Sequence, residues 1–176
     1  PAAMRKALCG SGLWPALRQR PFGRIAQSGD SPAALFLTGT DSRPLAVSPR
    51  AFLDGRAEDF QAGARALSSL LDGPTWLCVH PDDDWSGCVP EGVQVREFSG
   101  PHPAGLPGTH MHQLGPAGAN QVLWNASAVD VADIGAYLLS GKIPVRRAVA
   151  VTGPAAINPA LVKTWLGADL GSILEG

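Results

Sequence analysis

The sequence is poor in cysteine. Cys9, Cys78 and Cys88 are odd in number and none is close to another. That leaves no disulfide framework and no Cys-x-x-Cys metal or redox site, and a reducing compartment is the expected home. Charge is equally sparse, at 16% of residues with a formal net charge of -1. No broad basic field exists to hold a nucleic-acid backbone, so nucleic acid is not an expected partner. The local clusters Arg18, Arg20, Arg24 and Lys142, Arg146, Arg147 read as solvated loops or helix ends. So little charge on a small domain points to a surface partly covered by a partner. Long apolar runs are missing too, since nothing approaches the roughly 18 residues that a membrane helix needs. The opening Pro1-Ala2-Ala3-Met4 has none of the features of a processed signal.

What is present is a 176-residue chain with 45% hydrophobic residues, enough for one domain with a single core. Glycine, at 21, and proline, at 16, are abundant, which implies long shaped loops rather than a helical bundle. The segment 5–17 is divided by Gly10-Ser11-Gly12, and a helix capped by Ser11 is expected to follow and to stop before Pro21. Ala33 to Thr38 is a short, nearly continuous apolar run that reads as a buried strand. Phe60, Ala64, Leu67 and Leu71 repeat at helical spacing up to Gly73-Pro74, and Thr75 to Val79 is a second strand. Strand, helix, strand in that order is the unit of a parallel sheet covered by helices. A third strand is expected at 93–98, a helix at 129–139 ended by Gly141, and a fourth strand at 145–152. The tail gives a short strand at 161–165 and a helical turn at 169–174, with nothing after them to pack on. They read as the start of a next domain.

Familiar catalytic signals are absent. The first strand ends in Thr38-Gly39-Thr40-Asp41 without G-x-G-x-x-G, no G-K-[ST] occurs, and no G-x-S-x-G is present. No catalytic residue is assigned. Asp82-Asp83-Asp84 reads as a solvated turn, because adjacent acids point in different directions. Residues 99–119 form a glycine-, proline- and histidine-rich stretch without periodicity, and an ordered loop of that length usually has a task. His102, His110 and His112 lie in it, with His110 and His112 on one side if the stretch is extended. A proline-braced loop whose histidines bond to backbone is preferred over a metal site, and no metal is expected. The loop follows the carboxyl end of a strand, the edge at which open parallel sheets bind ligands. Leu106, Met111 and Trp124 are candidate apolar contacts there, with Thr109 and His110 as polar anchors. A rigid connector without ligand is the competing reading.

At this loop the sequence resembles a known family. Gly100-Pro-His-Pro-Ala-Gly-Leu-Pro-Gly-Thr-His-Met-His112 is similar to the signature of NqrA, a component of the bacterial sodium-translocating NADH:quinone oxidoreductases. Support comes from Ser11 to Arg18 with Arg20-Pro21-Phe22, from Asp41 to Leu45 with Ala46 and Pro49, from Val129-Asp130-Val131 with Ile134-Gly135, and from Gly153-Pro154 with Leu161-Val162 and Leu166-Gly167-Ala168. The likeness runs from about Leu8 to Gly176. The family is more distantly similar to the FMN- and NADH-binding subunit of complex I and to the RnfC component of the Rnf complex, where a glycine-rich loop cradles FMN. Here the matching position reads Ser11-Gly12-Leu13-Trp14-Pro15-Ala16-Leu17-Arg18. Bulky Trp14 and Pro15, which lacks an N–H, are poor substitutes where backbone must approach a phosphate. Gly12, Trp14, Pro15 and Arg18 thus mark a degenerate flavin loop.

The resemblance implies an α/β, Rossmann-like, mostly parallel sheet in residues 1–155 and the beginning of a β-grasp-type domain in 156–176. It implies a fragment of a peripheral protein on the cytoplasmic side of the inner membrane that binds no redox cofactor. The whole complex uses NADH, ubiquinone, flavins and iron–sulfur, and exports sodium. Expected partners are its other subunits, especially the membrane quinone-reducing one, and ubiquinone. Trp14, His102, Leu106, Thr109, His110, Met111, His112 and Trp124 are the expected quinone or partner contacts. A purely structural adaptor is the alternative, and FMN or NADH binding a third.

Overall fold

The computed structural model describes residues 2–115 and 121–174. Helix α1 (Ala2–Ser11) leads through a 3-10 turn at Trp14–Ala16 into two short strands, β1 (Arg18–Arg20) and β2 (Arg24–Ile25). Then come β3 (Ala34–Gly39), α2 (Ala57–Ser68), β4 (Thr75–Val79), β5 (Val93–Glu97), α3 (Pro107–Leu114), β6 (Leu123–Ser127) and α4 (Ala128–Ser140). The chain ends in β7 (Arg146–Val151), β8 (Ala160–Trp165) and α5 (Leu170–Leu174).

Six strands form a mixed sheet in the order β2-β1-β6-β3-β4-β5. The β6-β3, β3-β4 and β4-β5 pairs are parallel, whereas β1 runs antiparallel to both β6 and β2. Central β3 is buried on both faces, which is why its sequence is a continuous apolar run rather than an alternation. One face carries Leu35, Leu37, Leu77, Trp124 and Ala126 against Leu8 of α1, Phe60, Ala64 and Leu67 of α2 and Val131 and Ile134 of α4. The opposite face is smaller, with Ala34, Phe36 and Cys78 packed on Phe98 and on Met111 of α3.

Helices α2 and α4 touch backbone to backbone. A Cβ on Gly63 would overlap the Val131 carbonyl oxygen, and one on Gly135 would overlap that of Asp59. Glycine at both positions is therefore a packing requirement. Helix α4 is bounded as its sequence dictates: the Ser127 hydroxyl accepts from Asp130 N at 3.1 Å, and Gly141, at φ 71, donates to the Tyr137 carbonyl.

Several expectations are corrected. Ser11 is the last residue of a helix rather than the cap of one, because Gly12 takes a positive φ of 76 and turns the chain. The stretch 99–119 is not all loop, since Pro107 opens α3 at its first turn, and 116–119 lie outside the described residues. The fourth parallel strand is β6, not 145–152. Strand β7 leaves the main sheet and pairs antiparallel with β8, from Arg146 opposite Trp165 to Val151 opposite Ala160.

Candidate functional site

The proline- and glycine-rich loop is fastened to the end of β3. Gly105 packs so closely that a Cβ would lie 2.5 Å from the Ser42 nitrogen, and its own N–H donates to Ser42 Oγ at 2.7 Å. Ser42 Oγ also lies 3.2 Å from His102 Nδ1. Beside it, Asp41 receives the Arg43 guanidinium, whose hydrogen bond and charge hold its carboxyl below the ordinary range. Thr109 Oγ1 donates to the Pro103 carbonyl at 2.9 Å, and His110 Nε2 reaches that of Ala104 at 2.9 Å. Phe98 packs against the His110 ring with centroids 4.1 Å apart and planes tilted by 46°. Burial lowers the His110 pKa, so the imidazole stays neutral and donates through Nε2.

These contacts sort the expected site residues. His102 and His112 are exposed, Leu106 is exposed and Thr109 is half-buried, so four of them reach solvent. His110, Met111, Trp14 and Trp124 are buried in the core. Trp14 packs edge-on to Trp124 at 5.7 Å and donates Nε1–H to the Ala26 carbonyl. Helical geometry also separates His110 from His112, because two residues on a helix turn about 200°. The extended reading that put them on one side does not hold. Among the described residues no three His, Cys, Asp or Glu side chains are grouped to hold a metal ion. The acids of 82–84 do diverge: Asp83 accepts from Ser48 Oγ at 2.7 Å, Asp84 from Ser86 N at 2.8 Å, and Asp82 lies near His80.

Polar groups also gather in a second region. A cleft of about 450 Å³ opens beside the carboxyl end of β6, walled by Gly12, Leu13, Pro15 and Ala16 and by Arg18, Asn125, Ser127, Asp130, Asp133 and Arg147. Gly12, Pro15 and Arg18, named for the degenerate flavin loop, thus line one cleft, while Trp14 turns inward as a core residue. Asn125 Oδ1 is buried without a partner among the described residues. Asp133 accepts from Arg56 Nη2 at 2.8 Å and faces Arg147 Nη1 at 3.3 Å. Its burial pushes the carboxyl above the ordinary range, against the pull of both guanidiniums. Arg147 belongs to β7, so this ion pair joins the terminal hairpin to α4 across the cleft.

Sequence reasoning passed over Asn125, Ser127 and Asp133 as site residues. Ser127-x-x-Asp130 was a usable signal, since a serine three residues before an acid marks a helix start, and helix starts gather at the carboxyl edge of parallel sheets. Asp133 carried none, because its partners lie far away in sequence.

The sequence as a whole is similar to known proteins. Residues 1–143 match the family described as the NqrA second alpha/beta domain. The NqrA of the Na(+)-translocating NADH-quinone reductase of Rhodopirellula baltica is 40% identical over 165 residues, 94% of this chain and 36% of the relative. The NqrA of Pseudomonas aeruginosa strain PAO1 is 41% identical over 173 residues, 98% of this chain and 38% of the relative. The chain spans a little over a third of the length of these relatives. This chain belongs to the NqrA family, and residues 1–143 carry its second alpha/beta domain.

Proposed function

We propose that the chain serves as part of the cytoplasmic-face, peripheral NqrA component of a sodium-translocating NADH:quinone reductase. There it positions quinone or the quinone-reducing membrane subunit, with no redox cofactor of its own. The observation that carries this reading is the identity of about 40% with reductase NqrA proteins across nearly the whole chain. The strand order β5-β4-β3-β6 also supports a Rossmann-like ancestry, because it repeats the third-second-first-fourth order of one end of a doubly wound nucleotide fold. The cleft beside β6 is the natural ligand edge. Its wall at Pro15 offers no N–H to a phosphate.

A division between an α/β domain and a following β-grasp-type unit is proposed as well, with its edge moved from residue 155 to 145. The pairing of β7 with β8 supports that shift. The adaptor reading is favoured by one observation, the burial of Trp14, His110, Met111 and Trp124, which leaves only His102, Leu106, Thr109 and His112 free to touch a partner. In the intact complex, a photoreactive group at exposed His112 separates the two. Capture of a short-chain quinone supports quinone positioning, and capture of a membrane subunit unaffected by added quinone supports the adaptor. Micromolar FMN binding by the purified chain would overturn both.

A further inference from the structure

At the other end of β1 lies a feature that neither the cleft nor the histidine loop uses. Strands β1 and β2 form the edge hairpin of the sheet, and its tip is Pro21-Phe22-Gly23 with Gly23 at φ 64. Phe22 is 74% exposed at that tip, and Ile25 of β2 is also exposed. The Arg24 guanidinium lies over the Phe22 ring at 4.9 Å. A second cleft, of about 330 Å³, opens under the turn and is lined by Gln19, Arg20, Pro21, Phe22, Arg24 and Gln121, with Val122 at its back. Arg20 Nε is buried without a hydrogen-bond partner among the described residues.

Two arginines and two amide side chains meet in this cleft with no carboxylate among its lining residues. Residues 116–120, which precede Gln121 in the sequence, contain no acidic side chain either. Two guanidiniums in a cleft lined by no carboxylate call for an anionic oxygen. The exposed aromatic at a tight turn calls for an apolar or interfacial medium a few ångströms further out. These two demands are met together at the boundary between phospholipid headgroups and acyl chains. An added protein strand fits less well, because β2 is two residues long and offers too short a ladder.

We infer that the β1–β2 hairpin is a docking surface for an anionic phospholipid bilayer, with a headgroup phosphate held by Arg20 and Arg24 and Phe22 inserted at the interface. This goes beyond the proposed function and does not depend on it, since the surface can be read without quinone, NADH or other subunits.

The test is sedimentation of the purified full chain with vesicles of phosphatidylcholine alone and of phosphatidylcholine with about a third phosphatidylglycerol. Binding to the anionic vesicles only is expected, weakening as salt is raised from about 0.1 to 0.5 M because screening shortens the reach of the arginines. Arg24→Gln is expected to lower the partition about fivefold and Phe22→Ser about tenfold. Both residues are exposed, so neither change removes core packing. Ile157→Ser, an exposed apolar residue outside the hairpin, is expected to bind as the parent does. Equal binding to both vesicle types, or parental binding by Phe22→Ser and Arg24→Gln, overturns the inference. So does displacement by millimolar inorganic phosphate, which would mark a site for a free anion, or by poly-glutamate, which would mark one for an acidic protein segment.

Discussion

The main sheet and the terminal hairpin are built from similar sequence and differ in what surrounds them. Strand β3 has five of its six residues buried, whereas β8 has none. Trp124 of β6 is fully buried, with Arg5 of α1 over its ring at 5.4 Å, while Trp165 of β8 is 56% exposed with Arg146 over its ring. A two-stranded hairpin is marginal in water, so the stability of this chain resides in the first region. The second is tied on by the Arg147–Asp133 pair and by Thr152 Oγ1, which donates to the Leu45 carbonyl at 3.4 Å.

The strongest way to break that contrast is a pair of tryptophan deletions. Trp124→Ala is expected to cost about 4 kcal/mol, the range for emptying a large core site, and Trp165→Ala no more than about 0.5 kcal/mol. Urea unfolding of both variants checks it, and equal losses would refute the division into a stabilising body and a dependent hairpin. Next in size is the helix crossing. Gly63→Ala is expected to cost about 3 kcal/mol because the new methyl meets rigid backbone, while alanine at Gly10, where a Cβ meets nothing, leaves the melting temperature unchanged or slightly higher.

The seam between the regions gives a smaller effect. Asp133→Ala takes the carboxylate from Arg147 and leaves Arg56 with Asp59 alone, and is expected to cost about 2 kcal/mol. Its more telling readout is local, with amide exchange speeding up across residues 146–165 more than across 34–39. Uniform acceleration would mean that the ion pair supports the body and not the attachment.

The smallest effect is a pH dependence confined to the body. His110 has a folded pKa below its ordinary 6.5, so the unfolded chain takes up the proton first. Its contribution to stability is complete above pH 6.5 and is lost as pH falls towards the lowered folded value, at up to about 1.4 kcal/mol per pH unit. His110→Phe should flatten the stability profile over that window. Asp133 works in the opposite sense. With its folded pKa raised, its contribution is present at low pH and is lost as pH rises through the folded value, so Asp133→Asn should remove a loss that begins above about pH 4.

Short apolar runs made β3 and β4 legible, helical spacing made α2 and α4 legible, and the capping glycine at 141 was plain. Strand β6 is hard to read because Leu-Trp-Asn-Ala-Ser is only five residues long, opens on two adjacent apolar residues and buries only Trp124 and Ala126. Strands β1 and β2 were hidden because an arginine-rich segment becomes a strand only when β6 offers it a ladder. Of the candidate site, Gly12, Pro15 and Arg18 were found through the likeness of one loop, and their opposite wall was not.

By itself, then, the sequence determined the class of the fold, the family, and the lack of a phosphate-binding glycine loop. Those follow from local spacing and from residue types that permit or forbid a backbone approach. Only the tertiary structure decided which candidates are buried, that β7 belongs to the hairpin, and that Asp133, Arg56 and Arg147 meet beside the cleft. Such facts depend on pairings between distant segments, and local pattern carries no record of which distant partner wins.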